Sequence, residues 1–233
     1  MTLLELEHVG KRRESHVVLD DVSLVIEAGE MVVVWGERRS GRSTLLRIAA
    51  GIETPDTGVV RFAGRDSAER GSQTLGGEIG YCRKAFRPST GHTILEHLMA
   101  GQYARRAPRA TALSSAWNAL ARVDAERYAS FPATDLNPAE AVRVAIARAL
   151  TAKPRLLMID EPTIGVDLLE RDGILALLRS LADEGIAVLS STGEGTGVLG
   201  ADRVLSLGKG KLHGELRPDL APVTDLNHRR RAS

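Results

Sequence analysis

Two patterns of hydrophobic and polar positions take turns along the chain: continuous apolar runs and apolar residues at helical spacing. Residues 31–35 (MVVVW) and 156–159 (LLMI) are continuous apolar runs, which are typical of strands buried on both faces of a parallel sheet. Residues 142–150 and 168–182 instead carry apolar side chains at helical spacing. Because strands and helices follow one another in this way, the pattern predicts an α/β protein with a mostly parallel sheet.

Two regions depart from that alternation. Residues 3–9 and 22–26 read as two successive strands, which predicts an antiparallel part at the start of the chain. Residues 93–123 have a helical pattern throughout, broken at Pro108, which predicts a block of helices without strands. Residues 65–77 are polar and are predicted to form a loop. The other predicted strands are residues 59–62, 79–82, 186–190, 204–207 and 211–213.

A glycine-containing loop, GERRSGRST, joins the strand at 31–35 to a predicted helix at 45–50. A phosphate cradle needs glycines where backbone amides approach phosphate, a cation for the β and γ phosphates, and a hydroxyl for Mg²⁺. Gly36, Gly41 and Ser43 meet this pattern, while Arg42 stands at the cation position in place of lysine. An ordinary strand-to-helix turn is the alternative interpretation of this loop.

A second candidate region combines a helix start with an acidic pair. Asn137, Pro138 and Glu140 occupy the N-cap, N1 and N3 positions of a helix, where they satisfy its first amides. The strand at 156–159 then delivers Asp160 and Glu161 to its carboxyl end, where open α/β sheets place ligands. The alternative is that the acidic pair only caps the loop that follows the strand.

Composition narrows the function classes. The apolar fraction of 43% is ample for a core, while a net charge of +1 and 3% aromatic residues argue against nucleic acid as a partner. A lone Cys82 excludes an internal disulfide and indicates a reducing compartment. Without 18 consecutive apolar residues or a signal peptide pattern, membrane association is expected to be peripheral. The basic C-terminal end is expected to be solvated, with contact to anionic lipid as the alternative.

The segments that carry a family resemblance are, in order, the glycine loop, the helical block, AVRVAIARAL and LLMIDEP. Through them the chain resembles the ATP-binding cassette, the nucleotide-binding subunit of ABC transporters. The resemblance covers nearly the whole chain. It implies a P-loop-type α/β fold, with a mostly parallel sheet, an antiparallel β part and an inserted α-helical subdomain. The implied division is a core of residues 1–84 and 153–215, a helical subdomain of residues 85–152 and a tail of residues 216–233.

The resemblance also implies ATP and Mg²⁺ as cofactors and assigns roles to individual residues. Glu161 matches the general base, Ser43 and Asp160 match the metal ligands, and Asp167 matches the D-loop aspartate. The phosphate-binding positions are Gly36, Arg39, Ser40, Gly41, Arg42, Ser43 and Thr44.

Several nucleotide contacts depart from the family pattern. Arg42 replaces the cradle lysine, and its planar fork binds phosphate with a different geometry. Arg39 stands where the family has glycine, at a cost of roughly 1 kcal/mol if the site needs a positive φ. Lys84 replaces the glutamine that contacts Mg²⁺, and an ammonium has no lone pair for a metal. Gly193 replaces the switch histidine, and Arg13 replaces the aromatic residue that stacks on adenine.

The signature segment departs most. In the family, its serine hydroxyl and glycine amides hold the γ-phosphate of ATP bound by the opposite subunit. Here Asn137 uses its oxygen as a helix cap, Pro138 has no amide to donate, and Ala139 is expected to add a methyl group to the approach surface. Glu140 agrees with the family pattern.

These matches and mismatches predict a degenerate, pseudo-ATPase cassette in a membrane transport or mechanotransmission complex. Its implied partners are a second cassette and transmembrane subunits, which dock on the stretch that begins at Lys84 and ends at Val123. It would lie at the cytoplasmic face of the plasma membrane. An active ATPase with an arginine-based P-loop is the alternative, and a soluble cassette acting on ribosomes or DNA is a third hypothesis.

Overall fold

The described residues form two β-sheets and five α-helices. The computed structural model describes residues 1–67, 77–83, 91–132 and 134–216. In chain order the elements are β1 (Thr2–Arg13), β2 (His16–Glu27), β3 (Met31–Trp35), α1 (Arg42–Ala49), β4 (Thr57–Phe62), β5 (Arg65–Asp66), β6 (Ile79–Cys82), α2 (Ile94–Ala104), α3 (Arg109–Ala121), α4 (Pro138–Leu150), β7 (Leu156–Asp160), α5 (Leu168–Asp183), β8 (Ala187–Thr192), β9 (Arg203–Gly208) and β10 (Lys211–Leu216).

The larger sheet has six strands in the order β10-β9-β3-β8-β7-β6. All neighbours from β9 to β6 are parallel, and β10 is antiparallel to β9. The smaller sheet, β2-β1-β4-β5, is antiparallel. The predicted fold class, a mostly parallel sheet with an antiparallel part and several helices, is therefore confirmed.

The central strands separate two hydrophobic clusters. In β3, Val32 and Val34 face a cluster that includes the smaller sheet and α1, whereas Met31 and Val33 face a cluster that includes α2 to α5. All four side chains are fully buried. Because successive side chains of a strand point to opposite faces, burial on both sides requires an uninterrupted apolar run. This explains the sequence pattern of β3, and β7 follows the same alternation.

Two helices, α2 and α4, begin at capping boxes that their local sequence provides, whereas α1 was predicted at residues 45–50 and begins at Arg42. Asn137 and Glu140 form a capping box at the start of α4, with Pro138 in the first turn, as predicted. Thr93 and Glu96 form a second capping box at the start of α2. Such boxes satisfy amides that the helix leaves unpaired, so each start is fixed by local sequence.

Some predicted boundaries differ from the structure. The predicted loop at residues 65–77 is wrong at its start, because Arg65–Asp66 extends the smaller sheet as β5. Residues 68–76, and the tail from residue 217, lie outside the described residues. Within the described residues, no helix has both the length and the apolar character needed to span a membrane. The division into a core, a helical subdomain and a tail stays a prediction.

Candidate functional site

The loop between β3 and α1 has one residue without room for a side chain and two residues with a left-handed backbone. Gly36 has no room for a side chain, because an added Cβ would lie 2.4 Å from the Leu207 carbonyl oxygen. Gly41 has a φ of 106°, and an added Cβ there would lie 2.6 Å from the Val18 carbonyl oxygen. Arg39 has a φ of 66°. This left-handed conformation costs an L-residue about 1–2 kcal/mol, so the loop holds a strained arginine at the position where the resemblance implies glycine.

The side chain of Arg42 forms a buried ion pair with Glu161. Arg42 begins α1 and Glu161 follows β7, so the pair joins two element ends that are 119 residues apart in sequence. Arg42 Nη2 donates to Glu161 Oε1 at 2.7 Å, and the two side chains are only 6% and 12% exposed. Charge-assisted hydrogen bonds of this length are strong in a buried setting. The residue at the cation position and the predicted base are therefore bonded to each other.

Arg42 also fills the space beside Gly193. An added Cβ at Gly193 would lie 3.2 Å from Arg42 Nη1 and 3.3 Å from Nη2. A histidine ring would extend beyond that Cβ, so it conflicts with the guanidinium in its present position. The next residue, Glu194, accepts a hydrogen bond at 3.0 Å from Arg171 of α5, which holds this loop in place. The replacements at positions 42 and 193, which are 151 residues apart in sequence, thus meet at one location.

Ser191, near the end of β8, positions the acidic pair. Its Oγ donates to Asp160 Oδ1 at 2.6 Å, and both side chains are buried. The Glu161 backbone N–H donates to the Ser191 carbonyl oxygen at 3.1 Å and to its Oγ at 3.2 Å. Ser191 is not among the candidate site residues predicted from the sequence. The available signal was the polar end, Ser190 to Thr192, of an otherwise apolar strand that is buried at every position.

Two titratable groups on β6 lie near this pair and stay neutral at physiological pH. Burial, supported by the negative charge of Asp160, raises the pKa of the Tyr81 hydroxyl to about 12. Burial also raises the pKa of the Cys82 thiol to about 12. Neither group therefore supplies an anion to the site.

A cavity of about 320 Å³, here named the arginine cavity, opens between the β3–α1 loop and Glu161. Arg13 stands at its rim and donates to the two carboxylate oxygens of Glu53 at 2.8 and 2.9 Å. Glu53 also accepts from Arg47 at 2.9 Å, and its role was not foreseen from the sequence. The cavity is lined by Arg13, Val18, Arg38, Arg39, Ser40, Gly41, Arg42, Ser43, Thr44 and Glu161. The structure therefore gathers the predicted cradle residues around one space, with Arg13 beside them.

Two polar atoms of this cavity have no hydrogen-bond partner among the described residues. They are Ser40 Oγ and Arg42 Nη1, and both are buried. Buried polar groups in proteins are nearly always hydrogen-bonded, so such atoms point to an absent acceptor. Phosphate oxygens are suitable acceptors, and the N-cap of the adjacent α1 is Gly41, which provides no side-chain cap. The residues present therefore fit the phosphates of a nucleotide.

The same residues do not fit Mg²⁺. Ser43 lines the arginine cavity, whereas Asp160 lines a different cavity of about 150 Å³ next to α4. Glu161 lies between them with its Oε1 on the guanidinium of Arg42. Mg²⁺ requires near-octahedral oxygen ligands. Here the carboxylate of Glu161, which would attract the metal ion, is already paired with the positive charge of Arg42. Lys84, the other residue predicted near the metal, lies outside the described residues.

The first residues of α4 and its N-cap hydrogen-bond to each other. Asn137 Oδ1 accepts from the Glu140 backbone N–H at 2.9 Å, and Glu140 Oε2 accepts from the Asn137 backbone N–H at 2.9 Å. Ala139 is only 2% exposed and packs with Val166 and Ile174. The expectation that Ala139 adds a methyl group to the approach surface is therefore wrong, because that methyl group faces the interior.

Asp167 caps α5. Its Oδ1 accepts from the backbone N–H groups of Leu169 at 3.0 Å and Glu170 at 3.1 Å. Two large apolar side chains beside it face solvent, since Leu168 is 71% exposed and Leu169 is 92% exposed. The predicted D-loop position therefore presents apolar surface next to an aspartate whose carboxylate caps α5.

Comparison with known proteins decides the family. A sequence model described as ABC transporter matches residues 19–164, a segment that contains the β3–α1 loop, the start of α4 and the acidic pair. The chain belongs to the ABC transporter ATP-binding family. The cassette fold follows from the same match, and the resemblance found in the sequence is confirmed.

Individual relatives of the cassette support this assignment. The lipoprotein-releasing system ATP-binding protein LolD of Chromohalobacter salexigens is 34% identical over 200 residues, 84% of each chain. The sulfate/thiosulfate import ATP-binding protein CysA of Mycobacterium bovis is 32% identical over 204 residues, which are 87% of this chain and 58% of CysA.

Solved structures also resemble the cassette. The dimeric ATP-binding cassette MJ0796 bound to ADP and phosphate matches with a TM-score of 0.84 at 25% identity, over 92% of this chain and 98% of that one. The cassette cbiO1 of Clostridium perfringens, part of the transporter complex cbiONQ, matches with a TM-score of 0.85 at 25% identity, over 93% and 89%.

Proposed function

We propose that this cassette is a pseudo-ATPase subunit of a membrane transport or mechanotransmission complex. It transmits conformational change within the complex and does not turn over ATP at its own site. The observation that carries the proposal is the buried ion pair between Arg42 and Glu161. The relatives are named as ATP-binding proteins of lipoprotein-release and import systems, which supports a role in a membrane complex.

The ion pair opposes hydrolysis because a general base must be positioned on the attacking water. Glu161 Oε1 instead accepts a hydrogen bond from Arg42 at 2.7 Å. Gly193 offers no side chain to orient the γ-phosphate or the water, and Arg42 fills the adjacent space. Phosphoryl transfer depends almost entirely on such positioning, so the loss of both contacts removes most of the expected catalysis.

A groove on the helical side of the molecule supports docking of transmembrane subunits. It has a volume of about 730 Å³ and lies between α2 and α3. Tyr103, Leu113 and Trp117 line it, and each is more than a third exposed. Apolar side chains that line a groove are suited to a short helix of a partner. Most residues that line the groove belong to the predicted docking stretch, although Glu126, Ala129 and Ser130 lie beyond its end. Residues 84–90 of that stretch lie outside the described residues.

A second cassette is proposed as the other partner. Leu168 and Leu169 beside Asp167 present apolar surface that would be covered in a pair of cassettes. The similar cassette MJ0796 is dimeric. Because Asn137 and Pro138 of this chain make a self-capped helix start, we propose a heterodimer with a cassette whose motifs are intact. The complex would place this subunit at the cytoplasmic face of the plasma membrane.

One observation favours an active ATPase with an arginine-based P-loop. Arg42 Nη1 has no partner among the described residues, and it is a donor available to a phosphate. If nucleotide drew the guanidinium away from Glu161, the base would be released. The two functions therefore differ in whether Arg42 leaves Glu161 when nucleotide binds.

Turnover in the reconstituted complex distinguishes the two. The complex is prepared with wild-type chain and with Glu161→Gln, and Mg-ATP hydrolysis is measured at saturating nucleotide. The pseudo-ATPase proposal expects equal rates, since this chain's base contributes nothing. A substantial loss of turnover in Glu161→Gln, with the complex intact by size-exclusion chromatography, would establish the active alternative.

A further inference from the structure

The arginine cavity carries an excess of fixed positive charge. Four arginines line it against a single carboxylate, that of Glu161. Arg42 neutralises Glu161 at 2.7 Å. Arg38 and Arg39 are exposed at the cavity mouth, and neither has an ion pair within the described residues. A cavity of this kind attracts an anion and repels a cation.

The buried donors indicate the chemistry of that anion. Arg42 is 5% exposed, yet its Nη1 has no acceptor among the described residues, and neither does the buried Ser40 Oγ. A ligand that satisfies both must carry several acceptor oxygens. The cavity volume of about 320 Å³ exceeds what one phosphate group fills, which favours a chain of phosphates with further groups attached.

The site also lacks the arrangement that a divalent metal would need beside those phosphates. Asp160 lines the cavity next to α4, and its Oδ1 accepts from Ser191 at 2.6 Å. Glu161 is bonded to a guanidinium, which is itself a fixed positive charge. A guanidinium binds phosphate oxygens directly, with two donors in a plane.

We propose that the arginine cavity binds a nucleoside di- or triphosphate as the free anion, without a divalent metal ion. The arginines neutralise the charge that a metal would otherwise neutralise, so Mg²⁺ in solution competes with the cavity for the phosphate oxygens. The proposal rests on the proposed function of the same site, which it deepens by naming the ionic form of the ligand.

Calorimetric titration of the purified full chain with ATP tests this, once in EDTA and once with excess Mg²⁺. The expected result is that ATP binds in EDTA at least as tightly as in Mg²⁺, and that added salt weakens the binding. Binding that weakens about tenfold or more in EDTA, the loss expected when a charged contact is removed, would overturn the proposal. Absence of binding in both buffers would overturn it as well.

Two variants and a control assign the binding to this cavity. Arg42→Gln is expected to weaken ATP binding in EDTA by about tenfold or more, because it removes a charge-assisted donor. Arg65→Ala, at an exposed position of β5, removes a similar charge elsewhere and should leave the affinity unchanged. Because Arg42→Gln also breaks a buried ion pair and can unfold the chain, Ser40→Ala serves as the second variant.

Ser40→Ala removes one unpartnered donor and should weaken binding several-fold with an unchanged melting temperature. Unchanged affinity in Ser40→Ala would contradict the proposal even if Arg42→Gln proves unstable. The titration reports binding, whereas the turnover assay with Glu161→Gln reports hydrolysis. A chain that binds no nucleotide would therefore refute this inference and leave the pseudo-ATPase proposal standing.

Discussion

The buried ion pair between Arg42 and Glu161 makes a quantitative prediction about stability. Removing one partner of a buried pair leaves an uncompensated charge and typically costs about 3–5 kcal/mol, whereas replacing both partners with apolar residues is often neutral. Since the side chains are only 6% and 12% exposed, we expect each single change, Arg42→Met or Glu161→Met, to cost about 3 kcal/mol. In a chain of this size that lowers Tm by about 6–12 °C.

A double-mutant cycle isolates the interaction. The double variant Arg42→Met with Glu161→Met is expected to lose less than either single variant, which corresponds to a coupling energy of about 3 kcal/mol or more. The exposed pair between Lys211 and Asp20, at 3.1 Å with both side chains about half exposed, is a matched control with an expected coupling of about 0.2–1 kcal/mol.

Urea unfolding followed by circular dichroism, in a buffer free of nucleotide and phosphate, gives the four free energies of unfolding for each cycle. Unchanged m-values across the variants would show that the comparison is valid. A coupling energy for Arg42 and Glu161 no larger than that of the exposed control would refute the buried ion pair, and with it the structural basis of the pseudo-ATPase proposal.

Three further predictions concern single positions. Gly193→His is expected to lower the free energy of unfolding by about 1–3 kcal/mol, because the ring meets the Arg42 guanidinium. Adding Arg42→Lys should recover most of that loss. A thermal melt that shows no recovery would contradict the contact between positions 42 and 193. Asn137→Ala removes the capping box of α4 and should cost about 1 kcal/mol, or about 2–4 °C in Tm; an unchanged Tm would show that the cap contributes nothing. Burial raises the pKa of the Cys82 thiol from 9.0 to about 12, so iodoacetamide at pH 9 should modify it only after unfolding in urea, and rapid modification of the folded chain contradicts this. The raised pKa contributes stability below about pH 9 that is lost as the pH rises toward 12.

Much of the fold could be predicted from local sequence. The apolar run of β3 and the capping box of Asn137 and Glu140 are determined by neighbouring residues, and the structure has them where the sequence places them. Arg65 and Asp66 were missed as a strand because they are polar, and their pairing with β4 comes from tertiary contact.

The site could be predicted only in part, because its decisive contacts join distant segments. The sequence identified Arg42, Glu161 and Gly193 as separate positions, but their contact depends on how α1, β7 and β8 meet. Ala139 was expected at the surface because helix position alone does not say what packs above it, and the structure buries it against Val166. Burial and long-range pairing are properties of the assembled fold.

We propose that the site of this chain does not hydrolyse ATP, and a single-turnover measurement in the assembled complex tests this. The complex is assembled with a partner cassette whose own catalytic glutamate is replaced by glutamine, so that any remaining turnover belongs to this chain. A single-turnover experiment with radiolabelled ATP then measures phosphate release. We expect no release above that of the same complex carrying Glu161→Gln in this chain. Release that disappears only when Glu161 is substituted would contradict it.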